Sequence, residues 1–296
     1  MKRIKYLSII ILQLLCFQSY HIFAEAILDG TMNPETSGML LEGEMEISSD
    51  YGKIKGSNLF HSFTTFNINK GESANFTGPD AIQNIFTRVT GNSSSWINGT
   101  LSSSIPNSDF YLLNPNGVMI GENALIDIGG SFYISTSDYL QMNDGTQFDV
   151  DSQEPVLSIE KPQAFGFLDS SNGKITIEGK EQQAILELKP EKSFFIIGGD
   201  IEIKNSMIMA EGGNVNLASI HSEGQYLIEQ SDFGGSDNIE KGQITLSDNT
   251  TISVWGENTG SIKIRSNHFS VDNSVLEAIS QDHSSGFIDI HSDRIS

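Results

Sequence analysis

The sequence predicts an all-β fold, a right-handed parallel β-helix (solenoid) with an N-terminal cap and extra-helical loops, and three observations lead there. Charged residues make up 19% of the 296-residue chain against 38% hydrophobic. The charged share is below the roughly 25% of an average globular protein and too low for long solvated helices, whereas the apolar share is too high for disorder. A short pattern of Gly, any residue, apolar, any residue, apolar, polar then recurs along the second half. Finally, two of its Gly-to-Gly steps, 173 to 199 and 260 to 286, are both 26 residues.

The recurring pattern reads Gly130-Ser-Phe-Tyr-Ile-Ser135, Gly173-Lys-Ile-Thr-Ile-Glu178, Gly199-Asp-Ile-Glu-Ile-Lys204, Gly213-Asn-Val-Asn-Leu-Ala218, Gly242-Gln-Ile-Thr-Leu-Ser247, Gly260-Ser-Ile-Lys-Ile-Arg265 and Gly286-Phe-Ile-Asp-Ile-His291. Each is a short strand of period-2 alternation behind a turn glycine. The remaining steps are 43, 14, 29 and 18 residues, so the repeat is irregular. Between Gly260 and Gly286 three alternating runs, Ile262 with Ile264, Phe269 with Val271, and Leu276 with Ala278 and Ile279, are separated by polar turns at 265–267 and 272–274. Three strands per repeat is the sequence form of one β-helix coil. Stacked coils would place Ile over Ile and pair every backbone group with the coil above and below. Asn and Gly suit the turns, since both tolerate left-handed backbone angles. A β-sandwich is the alternative that short alternating strands also fit.

Residues 1–26 have the layout of a secretory signal peptide: basic Lys2, Arg3 and Lys5, an apolar stretch from Leu7 to Phe17, and the small residues Ala24 and Ala26 for a peptidase. Cys16 follows Leu15, where a lipoprotein site wants a small residue. The whole chain has 17 Lys and Arg against 38 Asp and Glu. A cut after Ala26 leaves 17 − 3 = 14 basic and 38 − 1 = 37 acidic residues, a net −23, and no cysteine. Disulfides are thereby excluded, and a strongly acidic chain excludes nucleic acid as a partner. The charge favours a soluble, self-repelling monomer and could recruit calcium. The stretch 141–164, with Pro155, Pro162 and several acids, breaks the pattern and reads as a polar loop or extra-helical excursion.

No enzymatic constellation emerges. Asp149 and Asp151 alternate on one face but lie in the polar excursion, where solvation explains them. His61, His221, His268, His283 and His291 lack metal-ligand spacing. Asn-x-Ser/Thr sequons occur at Asn75, Asn92, Asn98 and Asn249 without wider context. No cofactor and no metal are expected. Only a groove of paired carboxylates beside Arg88 or Arg265 would revive a polysaccharide-cleaving role.

The most distinctive residues lie between Ala26 and Gly130. Asn58-Leu-Phe-His-Ser-Phe-Thr-Thr-Phe-Asn-Ile68 is rich in phenylalanine, Thr87 to Leu101 ends in Gly99-Thr-Leu101, and Tyr111 to Gly121 carries Asn114-Pro-Asn-Gly117. In order and spacing these stretches resemble the N-terminal secretion domain of filamentous haemagglutinin-type exoproteins, the two-partner secretion family. The resemblance covers about residues 27–140, and the later repeats look like the β-helical shaft of the same family. Better-known members carry a further Asn-Pro-Asn-Leu motif where this chain reads Phe76-Thr-Gly-Pro-Asp-Ala-Ile82, so nothing tied to that motif carries over. The organisation that follows is a signal peptide (1–26), a secretion domain (27–140), the excursion (141–164) and continuing repeats (165–296) that stop at Ser296 within a strand. A longer chain is therefore expected, unless the residues beyond 286 cap the helix.

The resemblance implies a non-enzymatic exoprotein recognised by a dedicated outer-membrane β-barrel transporter with periplasmic domains in a Gram-negative-type envelope. Release to the cell surface or medium would follow, with adhesion to a host or neighbouring cell surface as the final activity. The same module could instead carry a C-terminal effector. From the residues themselves, Pro115 fixes φ at a first turn corner, Asn116 suits the second and Gly117 the position after it. Asn114, Pro115, Asn116 and Gly117 are thus either a fold-determining turn or a transporter-recognition site. The spacing of Phe60, Phe63 and Phe66 lets at most two share a strand face. With Asn58 and Asn67 they form either an aromatic plug for the N-terminal end or a docking patch.

Overall fold

The computed structural model describes residues 25–234, 239–257, 260–280 and 286–296. Its strands are stacked coil on coil, three to a coil, and the stacking is parallel and in register. In one coil Ile201–Lys204, Ser206–Glu211 and Val215–Ser219 follow one another around the axis. Each pairs with the strand one coil further on: Ile201 and Ile203 with Ile244 and Leu246, Ile208 and Ala210 with Ile252 and Val254, Val215 and Leu217 with Ile262 and Ile264. The alternation that marks these strands in the sequence thus points one apolar row inward, where it joins a continuous buried core. The expected β-helix, rather than a sandwich, is the architecture.

Every glycine pattern opens a strand, but on two different faces of the coil. Gly130, Gly213, Gly260 and Gly286 precede strands of a first face, Phe132–Ser135, Val215–Ser219, Ser261–Val271 and Phe287–Ile295. Gly173, Gly199 and Gly242 precede strands of a second face, Ile175–Glu178, Ile201–Lys204 and Gln243–Ser247. The irregular steps follow from this. Steps of 26 residues climb one coil on the same face, and those of 14 and 18 pass from second to first face through the third. The 43- and 29-residue steps carry the insertions described below. The first and second faces form one 16-stranded sheet, and the third is two four-stranded sheets.

Two details differ from expectation. The polar turn predicted at 265–267 is absent, because Ser261–Val271 runs unbroken around a corner and pairs with the first face at its start and the second at its end. Nor are the repeat glycines selected for left-handed backbone, as Gly130, Gly173, Gly199, Gly213 and Gly242 all lack positive φ. Close approach selects them instead. A Cβ on Gly213 would lie 1.8 Å from the Lys192 carbonyl oxygen, and one on Gly260 1.7 Å from that of Gly213.

The N-terminal end is closed by antiparallel pairing. Ala26–Leu28 and Lys53–Lys55 both run antiparallel to Asn58–Phe66, and Leu40–Leu41 pairs outside Ala26–Leu28. On its other edge Asn58–Phe66 is parallel to Asn84–Val89, the next coil. A register shift between Ile27 and Leu28 sets Phe66 opposite Ala26 and Phe63 opposite Leu28. That bulge turns a spacing of three into a shared inward face, so Phe63 and Phe66 enter the coil interior while Phe60 points outward.

Outside the first face lies a five-stranded antiparallel sheet of Tyr139–Met142, Gln147–Asp149, Pro162–Phe167, Gly224–Leu227 and Asp232–Phe233. It covers a ladder of outward aromatics, Phe60, Phe86, Tyr111, Tyr133 and Phe195, whose successive ring centroids are 4.9, 4.8, 4.1 and 4.6 Å apart. Leu140, Phe148, Phe165 and Tyr226 close over them in a second core. The excursion read as a polar loop is extra-helical, but it also contains strand and buries Phe148 and Val150 completely. Beside the aromatics runs a polar ladder. The backbone N–H of Ser131 donates to Asp109 Oδ1 (2.8 Å), that of Ser193 to Ser131 Oγ (3.1 Å), that of Asn214 to Ser193 Oγ (2.9 Å) and that of Ser261 to Asn214 Oδ1 (2.9 Å).

A second core under a charged loop has a measurable signature. Phe148→Ala is expected to cost ~3–5 kcal/mol, the usual penalty for emptying a buried phenylalanine site, whereas Glu154→Ala a few residues away is expected to stay within ~0.5 kcal/mol. Guanidinium chloride unfolding of the two variants checks this.

Candidate functional site

The Asn-Pro-Asn-Gly segment is a tight turn: the Gly117 N–H donates to the Asn114 carbonyl at 3.0 Å, and Gly117 takes φ +116°. Asn114 is wholly buried and every part of its amide is used. Its Oδ1 accepts from the Asn116 N–H (3.0 Å), and its Nδ2 donates to Ser93 O and Ser95 Oγ, both at 3.0 Å. Asn116, exposed, donates from Nδ2 to Gly91 O at 2.8 Å. These partners sit one coil back. One coil forward, the Gly173 N–H donates to Pro115 O (2.9 Å), and a Cβ on Gly173 would meet Gly117 N and Pro115 O at 2.4 Å. The turn therefore links three coils, backward through its asparagine side-chain amides and forward through the backbone.

The phenylalanine-rich stretch divides between two cores. Phe63 and Phe66, 5.0 Å apart, pack with Phe76 inside the first coils, and Phe60 stacks on Phe86 and meets Phe148 edge-on. None of the three is exposed, so none offers a docking surface in the folded state. Asn58 donates from Nδ2 to the carbonyls of Ser158 (3.0 Å) and Glu160 (2.7 Å) and accepts from Asn84 Nδ2 (2.8 Å), pinning the excursion to the first coils. Asn67 accepts from the Trp96 N–H at 2.7 Å, bonding to the coil above rather than within its own turn. Ala24 lies outside the described residues. Ala26 opens the first cap strand, fully buried, and the adjacent Glu25 carbonyl accepts from the Asn67 N–H.

Arg88 sits beside this cap and is completely buried. Its Nε donates to Ser62 Oγ (2.7 Å), Nη2 to Thr31 Oγ1 and Ser152 O (both 2.9 Å) and Nη1 to Asp149 O, with the Phe148 ring centroid 5.3 Å from the guanidinium carbon. Asp29 completes the cluster, its Oδ2 accepting from Ser62 Oγ (2.6 Å) and Thr90 Oγ1 (3.1 Å) and its Oδ1 from Thr31 Oγ1 (2.8 Å). Burial pulls the Arg88 guanidinium below its ordinary value, and the carboxylates of Asp29, Asp149 and Asp151 oppose that pull. Asp29, Thr31 and Ser62 went unmarked in the sequence reading. An arginine within an otherwise uncharged strand, in Ile85-Phe-Thr-Arg-Val89, is the signal that could have found them. Arg265 is nearly as buried, with Nη2 2.7 Å from Asp289 Oδ2 and Nε 3.1 Å from Asp232 Oδ1. Hydrogen bonding from Arg265 holds the Asp289 carboxyl below its usual range. Both guanidinium groups are consumed by these partners within the fold. Among the described residues no group of three or more His, Cys, Asp or Glu side chains is placed to hold a metal ion.

His61 faces the coil interior from Asn58–Phe66, between Phe63 and Phe76. It is fully buried and neither ring nitrogen has a hydrogen-bond partner, so desolvation takes its pKa from 6.5 down to about 3.

The family description of the TPS secretion domain matches residues 24–275 of this chain. The heme/hemopexin-binding protein of Haemophilus influenzae is 40% identical over 68 residues, which make up 23% of this chain and 7% of that protein. The crystal structure of the HMW1 secretion domain from Haemophilus influenzae aligns with a TM-score of 0.44 and 18% identity, over 76% of this chain and 70% of that one.

Two outcomes are expected. Asn114→Ala, which strands the Ser93 carbonyl and collapses the turn, is expected to destabilise the protein by about 1–3 kcal/mol, and Asn116→Ala by less than about 1 kcal/mol, in denaturant titrations. The unfolded chain protonates His61 near pH 6.5 while the folded one resists until about pH 3, so its contribution to stability falls as pH drops through that window. The slope approaches ~1.4 kcal/mol per pH unit, and subtracting the profile of His61→Leu from that of the parent isolates it.

Proposed function

The chain belongs to the TPS secretion domain family, and from that premise we propose that it is the N-terminal secretion module of a large adhesin-like exoprotein, gripped by its transporter before it folds. TPS domains are recognised by a transporter in the outer membrane, and their proteins are exported through the Gram-negative envelope to the cell surface or medium. The observation that carries the reading is the span of the family match, residues 24–275, which takes in the cap, the turn and the extra-helical sheet together.

The finer proposal concerns how the grip works. The transporter is a β-barrel with periplasmic domains, and the unfolded N-terminal segment adds strands to those domains, since edge pairing gives affinity through the backbone with little demand on sequence. The cap segments suit this: Ala26–Leu28, Leu40–Leu41 and Lys53–Lys55 are short and already pair antiparallel at strand edges. Outside the cell each coil then templates the next. In this account Asn114, Pro115, Asn116 and Gly117 act through folding, supported by the buried and fully bonded Asn114 amide. The module extends beyond residue 140, because the outward aromatics of the first coils are covered by Phe148 and Phe165 of the extra-helical sheet. The 7% overlap with the curated relative leaves adhesion to a host or neighbouring cell, and a monomeric state, as proposals resting on the acidic, self-repelling shaft. A polysaccharide enzyme is disfavoured by the burial of the Arg88 and Arg265 side chains, each engaged by partners of its own fold.

Cells expressing the chain with and without its partner transporter provide the test. Mature protein is expected in the medium only when the transporter is present, and its retention in the periplasm beside a working transporter would overturn the reading. Asn114→Ala is expected to reduce release in step with its loss of stability, while Asn116→Ala secretes near the parental level. An Asn116→Ala protein of normal stability that stays in the periplasm would make the turn a recognition site.

A further inference from the structure

The Arg88 cluster joins three parts of the chain that are far apart in sequence. Asp29 and Thr31 belong to the cap, Ser62, Arg88 and Thr90 to the first coils, and the carbonyls of Asp149 and Ser152 to the extra-helical hairpin. Two of the acceptors, and the aromatic ring beside the guanidinium, come from residues 148–152. A buried guanidinium missing those partners carries an uncompensated desolvation cost, so the closed cluster requires them. The cap strands are short, and apart from this cluster they are held by pairing along Asn58–Phe66 and by burial of Ala26 and Leu28. Ala26–Leu28 is three residues long, and Leu40–Leu41 is two.

We propose that the Arg88 cluster is a latch that makes docking of the N-terminal cap conditional on the hairpin 147–152, so that the first segment of the mature chain locks only after that hairpin is in place. Cap and hairpin open and close as one unit: the hydrogen-bonded link from Thr31 to the hairpin carbonyls runs through the arginine, and Met32 of the cap shares the outer core with Phe148 and Val150. Resting on the proposed transporter grip, the consequence for export is a timed release: residues 27–41 remain free to pair with the transporter until residue 152 has emerged, and folding then withdraws them. The latch itself is a property of the folded protein and is measurable without a transporter.

Native-state hydrogen exchange on the purified full chain tests it. Thr31→Val alters only the cap side, and Asp149→Ala removes the Oδ1 that accepts from the Asp151 N–H at 2.8 Å and shapes the hairpin loop. If the latch couples them, Thr31→Val accelerates exchange at Val150, whose N–H donates to Asp138 O, and Asp149→Ala accelerates it at Leu28 and Gly38, whose N–H groups bond within the cap. Each effect is expected to be about tenfold or more, the scale of one charge-assisted hydrogen bond, with Ile175 and Phe194 in the shaft unchanged. Arg88→Met is expected to release both sides at once, and the two milder variants decide the matter should it fail to fold. Acceleration confined to the mutated side in both variants would overturn the latch, whatever the secretion experiment shows. Normal coupling together with transporter-independent release would instead overturn the grip and leave the latch standing.

Discussion

The strand Asn58–Phe66 has to satisfy two different neighbours and two different cores, and the rest of the molecule is arranged around that constraint. One edge accepts the parallel coil that starts the shaft, while the other is consumed by antiparallel strands that would otherwise leave a row of unpaired N–H and C=O groups. Its inward side chains begin the coil interior and Phe60 begins the outer aromatic ladder. Once outward aromatics stand on the first face, that face must be covered, and the antiparallel sheet covers it. An ordinary solenoid buries one face of each strand. Here the first-face strands Asn84–Val89, Phe132–Ser135, Phe194–Gly198 and Val215–Ser219 are buried on both, and none contains an exposed position, Arg88 included.

That double burial decides what was legible in the sequence. Period-2 alternation identifies strands buried on one face, and it found the second-face strands and most of the shaft. It also predicts the Ile-over-Ile register, since parallel stacking of equal-length repeats leaves few other choices. The division of the glycine pattern between two faces was hidden, because a strand of either face starts with the same close backbone approach. What the irregular spacing recorded was the path between faces. The missing turn at 265–267 follows similarly: polar residues at a solenoid corner read as a turn, yet Arg265 is held there by Asp232 and Asp289 and the backbone continues extended.

The candidate site was legible by resemblance and by turn chemistry, but its physical role was not. Asn114 is a turn residue by type, and only the three-dimensional stack shows its amide bonded across to the previous coil. The excursion was misjudged for a related reason. Asp144, Asp149, Asp151 and Glu154 dominate its composition, whereas its contribution to the fold comes from Phe148, Val150 and two backbone carbonyls. A carbonyl has no sequence signature. A buried charge satisfied by main-chain acceptors is invisible on one side of the interaction, which is why Arg88 read as a possible groove residue and its partners were not found.

Export imposes a further demand that reconciles these features. A chain that must stay unfolded until it has passed a membrane cannot afford an N-terminal end that folds autonomously, and a terminal coil with a self-sufficient cap would do so. Here the cap is short, the outer face of the first coils is apolar until later strands arrive, and the one charged group buried in the junction takes half its acceptors from residues that follow it by about sixty positions. Each of these raises the fraction of the chain that must be present before the N-terminus is stable. Parallel β-structure is already slow to form because its contacts are non-local. Long-range closure through Arg88 and the aromatic ladder extends that delay to the cap itself, and once closed it converts the least stable end of a solenoid into a template on which the following coils can stack.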